Sequence, residues 1–228
     1  MPTIFFDFDS TVVSKESLDE VIALALASTS HSETLHQQVE EITNAGMEGT
    51  LPFTESVKKR LAVTPLKKEY FEQVGEALTA NITDGLPDLI HQLHSLKYHV
   101  YIVSGGFRPC LLPTAKQLGI PSERVSANTY QCDTHGHVVG PDTDNPCFTD
   151  HGKAPVIQHI EAATHPPRPY VMVGDGSNDL RAYTEGVVDV FFGFTAHIER
   201  DVIKTHAPKK AATVKELRNL IFNVSTTQ

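Results

Sequence analysis

Asp7 and Asp9 stand at the end of the apolar run Thr3–Phe8 and are followed by Ser10 and Thr11. If that run is a β-strand, period-two alternation points both carboxylates to one side at the strand's carboxyl end. Two like charges held so close are costly unless a proton or a cation relieves them. A hard divalent ion such as Mg²⁺ prefers carboxylate oxygens and would do so. Taken alone, the motif is explained equally well by a turn in which Asp9, Ser10 and Thr11 cap a helix.

Two further loops and a lysine shift that balance. The run YHVYIV leads into Ser104-Gly105-Gly106. At the start of a following helix, these small residues would let backbone N–H groups and the Ser104 hydroxyl approach an anion. The run PYVMV leads into Gly174-Asp175-Gly176-Ser177-Asn178-Asp179. Acidic and amide side chains spaced by glycines suit a metal and the groups that support it. Lys153, ahead of a predicted helix, is by itself an ordinary surface charge. Beside three aspartates and a phosphate it would supply the positive charge they need.

The elements that must position these residues are legible as alternating patterns. Thr3–Phe8, His99–Val103, Tyr170–Val173 and Val187–Phe192 have the length and composition of buried strands. Leu86, Leu89, Ile90, Leu93 and Leu96 fall on one helical face behind a cap at Thr83 or Asp84. Alternation of strands and helices predicts an α/β fold: a mostly parallel, Rossmann-like sheet flanked by helices. Residues 16–80 hold no convincing strand and read as several helices, which predicts a helical cap domain inserted into an α/β core of residues 1–15 and 81–228. Residues 125–139 suggest a β-hairpin around Thr134-His135-Gly136. Pro113 falls inside the predicted helix 109–118. It is harmless if that helix starts at Cys110 and kinks it if the start is earlier. The tail after Asn223 is expected to be loose.

Composition limits the function classes. With 228 residues, 40% hydrophobic and 21% charged, the chain can bury one good core with a smaller attachment. A net charge of −9 argues against nucleic acid as a partner, yet one site can still be locally positive. No apolar run approaches the roughly 20 residues of a membrane span, and the N-terminus lacks a secretory pattern. A cytoplasmic protein that engages no membrane is expected. Cys110, Cys132 and Cys147 read as free thiols, and the twelve histidines show no metal-ligand spacing.

In the order DFDST, VSGG, Lys153 and GDGSND, the chain resembles the haloacid dehalogenase superfamily of phosphatases over nearly its whole length. Within it, DFDSTVVSKESLDE (7–20), MEGTLPFTESVKKR (47–60), VSGGF (103–107) and VGDGSNDL (173–180) are most similar to the phosphoserine phosphatases. The resemblance implies Mg²⁺ held by the side chains of Asp7 and Asp175 and the backbone carbonyl of Asp9. It implies Asp7 as the nucleophile that becomes an aspartyl phosphate, and Asp9 as the group that moves protons. Ser104, Gly105 and Lys153 would hold the phosphoryl group, while Asp179, supported by Asn178, would orient Lys153 or a metal-bound water. Glu16 falls where the acid facing a substrate ammonium lies, Arg60 where the carboxylate-binding arginine lies, and Met47 and Phe53 where the pocket is lined. The implied substrate is a small phosphorylated metabolite, with O-phosphoserine favoured. Three alternatives stay open: another metabolite phosphatase, a phosphotransferase to an alcohol, and a non-catalytic phosphate-binding protein. The sequence also leaves a homodimer open.

Overall fold

The computed structural model describes residues 1–27 and 32–224. In chain order, β1 (Thr3–Phe6) is followed by four helices: α1 (Ser17–Leu26), α2 (Ser32–Glu48), α3 (Phe53–Leu61) and α4 (Lys68–Leu78). The chain continues through α5 (Leu86–Ser95), β2 (His99–Phe107), α6 (Arg108–Gln117), β3 (Val125–Asn128), β4 (Tyr130–Cys132) and β5 (Val138–Pro141). It ends with α7 (Ala154–Thr164), β6 (Tyr170–Gly174), α8 (Ser177–Thr184), β7 (Val190–Phe194), α9 (Asp201–His206), β8 (Lys209–Ala211) and α10 (Val214–Val224).

Six strands form one sheet in the order β3-β2-β1-β6-β7-β8, and every pairing is parallel. Placing β1 at the centre puts its carboxyl end between those of β2 and β6, where open α/β sheets gather ligands. Alternation along β1 divides the core. Ile4 and Phe6 join one cluster with Val100, Ile102, Val171 and Val173, and Phe5 joins a second with Tyr101, Met172 and Phe191. All four β1 side chains are fully buried. Truncating such an aromatic typically costs about 3–5 kcal/mol.

The sequence misplaces several local features, each for an identifiable reason. The sheet has two strands that the apolar runs do not reveal. β3 reads VSAN and β8 reads KKA, and both are edge strands with little apolar signature. Val125–Asn128 therefore belongs to the main sheet, and the hairpin is the antiparallel pair β4–β5 beyond it. The fourth predicted strand shifts to Val190–Phe194, because Val187 and Val188 are buried in the preceding turn. Helix α5 is preceded by Gly85 at φ 78°, not capped by Thr83 or Asp84. Thr83 instead donates its hydroxyl to the Thr11 carbonyl (2.7 Å). Leu96 lies past the helix end and is exposed. Helix α6 starts at Arg108, so Pro113 sits in its interior, and the Pro109 carbonyl has no N–H four residues on to accept from. Helix α10 runs to Val224, and residues 225–228 lie outside the described residues. Among the described residues, no helix is long and apolar enough to cross a membrane.

Candidate active site

The two first-strand aspartates meet in one place, but not through strand alternation. β1 stops at Phe6, and the chain then turns, with the N–H groups of Thr11, Val12 and Val13 all donating to the Phe8 carbonyl. Ser10 takes the left-handed backbone (φ 51°) that this tight turn needs. Asp7 stays in line with the sheet, its N–H donating to the Val173 carbonyl (2.8 Å). Asp9 is carried round to the start of α1. There its carboxylate accepts the Ser17 N–H (2.9 Å) and the Ser17 hydroxyl (3.0 Å). Asp9 thus does serve a helix start, satisfying one of its unpaired donors, while remaining at the wall of the cleft.

The small-residue loop also differs from expectation. Ser104, Gly105 and Gly106 belong to β2, which continues to Phe107 with an irregular register against β3, so they do not begin a helix. Their smallness is needed for close approach. A Cβ on Gly105 would lie 2.7 Å from the Phe53 ring, and one on Gly106 would lie 2.9 Å from Ser17 Oγ. Ser104 Oγ accepts the Gly106 N–H at 2.9 Å. The buried Asn128 donates to the Gly105 carbonyl (2.7 Å) and fixes the loop from behind.

Lys153 joins the strand ends electrically. Its Nζ lies 2.5 Å from both Asp7 Oδ1 and Asp179 Oδ1, with all three side chains nearly sealed from solvent. Burial alone would favour the neutral amine, but Asp179 and Asp7 outweigh it and hold the ammonium above the ordinary lysine range. Asp179 is pushed up to about 7 by burial and by Asp7, against the pull of Lys153. Its second oxygen accepts the Gly176 N–H (3.0 Å). A Cβ at Gly174 would fall 2.2 Å from the Asp179 carboxyl carbon, so only glycine lets that side chain fold back.

Asp175 is fully buried and accepts from Arg200 Nε at 2.9 Å. Burial, then Asp7, then Glu16 hold its carboxyl well above the usual range. Asp9 is raised in the same sense by burial, Glu16 and Asp7. This excess of buried negative charge calls for a cation. One oxygen from each of Asp7, Asp175 and Asp179 falls within 4.8 Å of the others, a hard-oxygen donor set that could hold a divalent metal.

The helical insertion supplies the opposite wall. Glu16, Leu18, Met47, Phe53 and Arg60 line the same cleft as Asp7, Asp9, Ser104, Gly105, Lys153 and Asn178. The candidate site residues read from the sequence therefore converge here, except that Asp175 does not line the cleft itself and lies fully buried beside it, with one oxygen within 4.8 Å of Asp7 and Asp179. Arg60 is buried, with Nη1 at 3.1 Å from both Asp19 Oδ1 and Thr43 Oγ1, while its Nε has no hydrogen-bond partner among the described residues. Glu16 accepts from Ser10 Oγ (2.8 Å) and Arg200 Nη2 (2.9 Å), and burial raises its carboxyl.

Sequence reasoning missed Arg200, Ser17, Asn128, Asp19 and Thr43. Arg200 is the most consequential, because it is buried and bonds Asp175, Glu16 and Asn44 at once. Its surroundings, HIERD, carry no local signal for that role.

With this geometry in view, comparison with known proteins is decisive. The model of the haloacid dehalogenase-like hydrolases matches residues 4–183. A Bos taurus phosphoserine phosphatase is 30% identical over 204 residues, which cover 90% of this chain and 86% of that protein. The chain is a haloacid dehalogenase-like hydrolase of the phosphoserine phosphatase family. Solved structures agree with this family assignment. A phosphoserine phosphohydrolase-like protein from Francisella tularensis superposes with a TM-score of 0.88 at 29% identity, covering 97% of this chain and all of the other. A phosphoserine phosphatase solved as a phospho-aspartyl intermediate analogue gives a TM-score of 0.78 at 25% identity, over 97% and 98% of the two chains.

Proposed function

We propose that this enzyme hydrolyses O-phosphoserine to serine and phosphate, with Asp7 as the nucleophile. The observation that carries the reading is the pairing of two walls. A buried carboxylate held by Lys153 faces an arginine whose buried Nε has no hydrogen-bond partner among the described residues. Phosphoserine presents a phosphate to the first wall and a carboxylate to the second, and a forked guanidinium suits that carboxylate. Its ammonium would meet Glu16.

The Asp7, Asp175 and Asp179 cluster fits Mg²⁺, with Asp7, Asp175 and the Asp9 carbonyl as its proposed holders. When bound, Mg²⁺ would offset the repulsion between carboxylate and phosphate. The chain's own groups do the remaining work. Lys153, Ser104 and the Gly105 N–H hold the phosphoryl oxygens. An Asp7 oxygen forms a bond to phosphorus as the bond to the serine oxygen breaks. Asp9, which its surroundings hold toward the protonated form, gives its proton to that oxygen. Water then attacks the phosphorus, Asp9 takes its proton, and the bond to Asp7 breaks to release phosphate. Asp179 keeps Lys153 oriented and Asn178 supports that network. The helices of the insertion act as a cap that excludes bulk water and reads the amino-acid end.

Phosphate release from a panel of phosphomonoesters, with and without alcohol acceptors, tests this reading. Phosphoserine should be turned over most efficiently, with serine and free phosphate formed in equal amounts. Preference for a sugar phosphate, or transfer to the alcohol in place of hydrolysis, would contradict it.

A further inference from the structure

The segment leading to Lys153 does more than deliver the lysine. Helix α3 carries Phe53 and Arg60, and its flanking residue, Pro52, offers no side-chain acceptor for the helix's free N–H groups. The acceptor comes from the other side of the cleft. The Asp150 carboxylate takes the Thr54 N–H at 2.8 Å and the Thr54 hydroxyl at 2.9 Å, across 96 residues of sequence. An aspartate bonded to the second residue of a helix is capping chemistry, here supplied by a distant segment.

Asp150 is itself firmly seated. Its backbone carbonyl accepts from Arg181 of α8. Two residues on, Gly152 adopts φ 70° and packs against Asn178, and the Lys153 N–H reaches the Asn178 carbonyl (3.3 Å). Two residues before it, Phe148 meets Phe53 with ring centres 6.5 Å apart, and Lys58 Nζ lies 5.7 Å from the Phe148 ring centre. One short stretch of the sheet-bearing part therefore grips α3 by its backbone, by its first aromatic and by a lysine.

We propose that Asp150 is a positioning residue: it caps α3 in trans and thereby sets Phe53 and Arg60 over the cleft. Asp150 touches neither substrate nor the reacting atoms. Its effect falls on recognition of the amino-acid end, because Lys153 keeps its own partners in Asp7 and Asp179. The inference rests on the phosphoserine reading of the cleft for its kinetic consequence but not for the contact itself.

Two variants and two readouts test it. The second N–H of a helix has no acceptor within the helix, so protection of the Thr54 amide from hydrogen exchange reports the Asp150 contact directly and needs no activity. In Asp150→Ala that exchange should accelerate by about fivefold or more. KM for phosphoserine should rise about fivefold, while turnover of p-nitrophenyl phosphate stays within about twofold. Asp150→Asn keeps an acceptor and should stay close to wild type in both readouts. Unchanged Thr54 exchange in Asp150→Ala would overturn the proposal. So would an Asn variant as impaired as the Ala variant, or equal losses on both substrates. A wild-type enzyme that releases no phosphate from phosphoserine would refute the substrate reading instead, and the exchange arm would still decide the contact.

Discussion

The two walls of the cleft are built on opposite principles. On the sheet side, Asp7, Lys153 and Asp179 are almost wholly buried, with Lys153 ion-paired to both carboxylates at 2.5 Å and the backbones fixed by parallel strands and by α7 and α8. On the insertion side, Glu16, just ahead of α1, and Arg60, on α3, lean on partners that a substrate could replace, namely Arg200, Asp19 and Thr43. On the proposed reading of the site, the contrast separates chemistry from recognition. Reacting groups need placement that survives every substrate, whereas recognising groups need charge that can be handed over.

The comparison can be broken by substitution, and the largest effect belongs to the sheet wall. Asp7→Asn removes the proposed attacking oxygen while Lys153 keeps Asp179 as its counter-charge and the crowd of buried carboxylates loses one member, so turnover should fall by at least about a thousandfold with the melting temperature nearly unchanged. Steady-state phosphate release beside a thermal melt checks this.

Lys153→Met should also abolish turnover and, unlike the first variant, should weaken the fold. It leaves two buried carboxylates facing each other, a loss of about 3 kcal/mol in chelator-containing buffer. The loss should depend on pH. Asp179 already titrates at about 7 in the native fold, above the ordinary aspartate value. Removing the lysine raises it further, so the cost is fully present only above the variant's raised value and fades as acidification protonates Asp179. Denaturant unfolding at alkaline and mildly acidic pH measures the difference.

Arg60→Ala probes the other wall. The efficiency on phosphoserine should fall by about 10- to 100-fold, chiefly through KM, with a much smaller change on an aryl phosphate. Equal losses on both substrates would erase the distinction between walls.

How far each wall was legible in the sequence follows the same division. Asp7, Asp9, Ser104, Asp175 and Asp179 belong to short motifs in or just beyond the apolar runs of β1, β2 and β6, where a motif and a local period are enough to find them. Even there the local geometry was misjudged. Asp9 is delivered by a turn around Ser10, and Gly105 and Gly106 extend a strand. Edge strands β3 and β8 bury too few side chains to leave an alternating trace. Arg200 marks the outer limit of such reading. Its bonds span 25, 156 and 184 residues, so only the folded chain discloses that one guanidinium serves Asp175 and Glu16 together.

The smallest expected effect lies where the insertion joins the sheet. His197 Nε2 is 2.8 Å from Thr83 Oγ1. Because Thr83 donates its proton to the Thr11 carbonyl, the ring must donate here. Burial pushes the ring's pKa down, against the pull of Asp84. Its folded value is therefore depressed, and its contribution to stability is present above the unfolded value of about 6.5 and lost as pH falls through the folded one. Melting temperature against pH should show a slightly smaller acid-side decline in His197→Gln than in wild type.

The central claim is a covalent one, and acid quenching during turnover of isotopically labelled phosphoserine tests it most directly. Peptide mass analysis should find a labelled phosphoryl group on the peptide containing Asp7, absent in Asp7→Asn. Rapid turnover with that peptide unmodified, or with the label on another residue, would contradict the account.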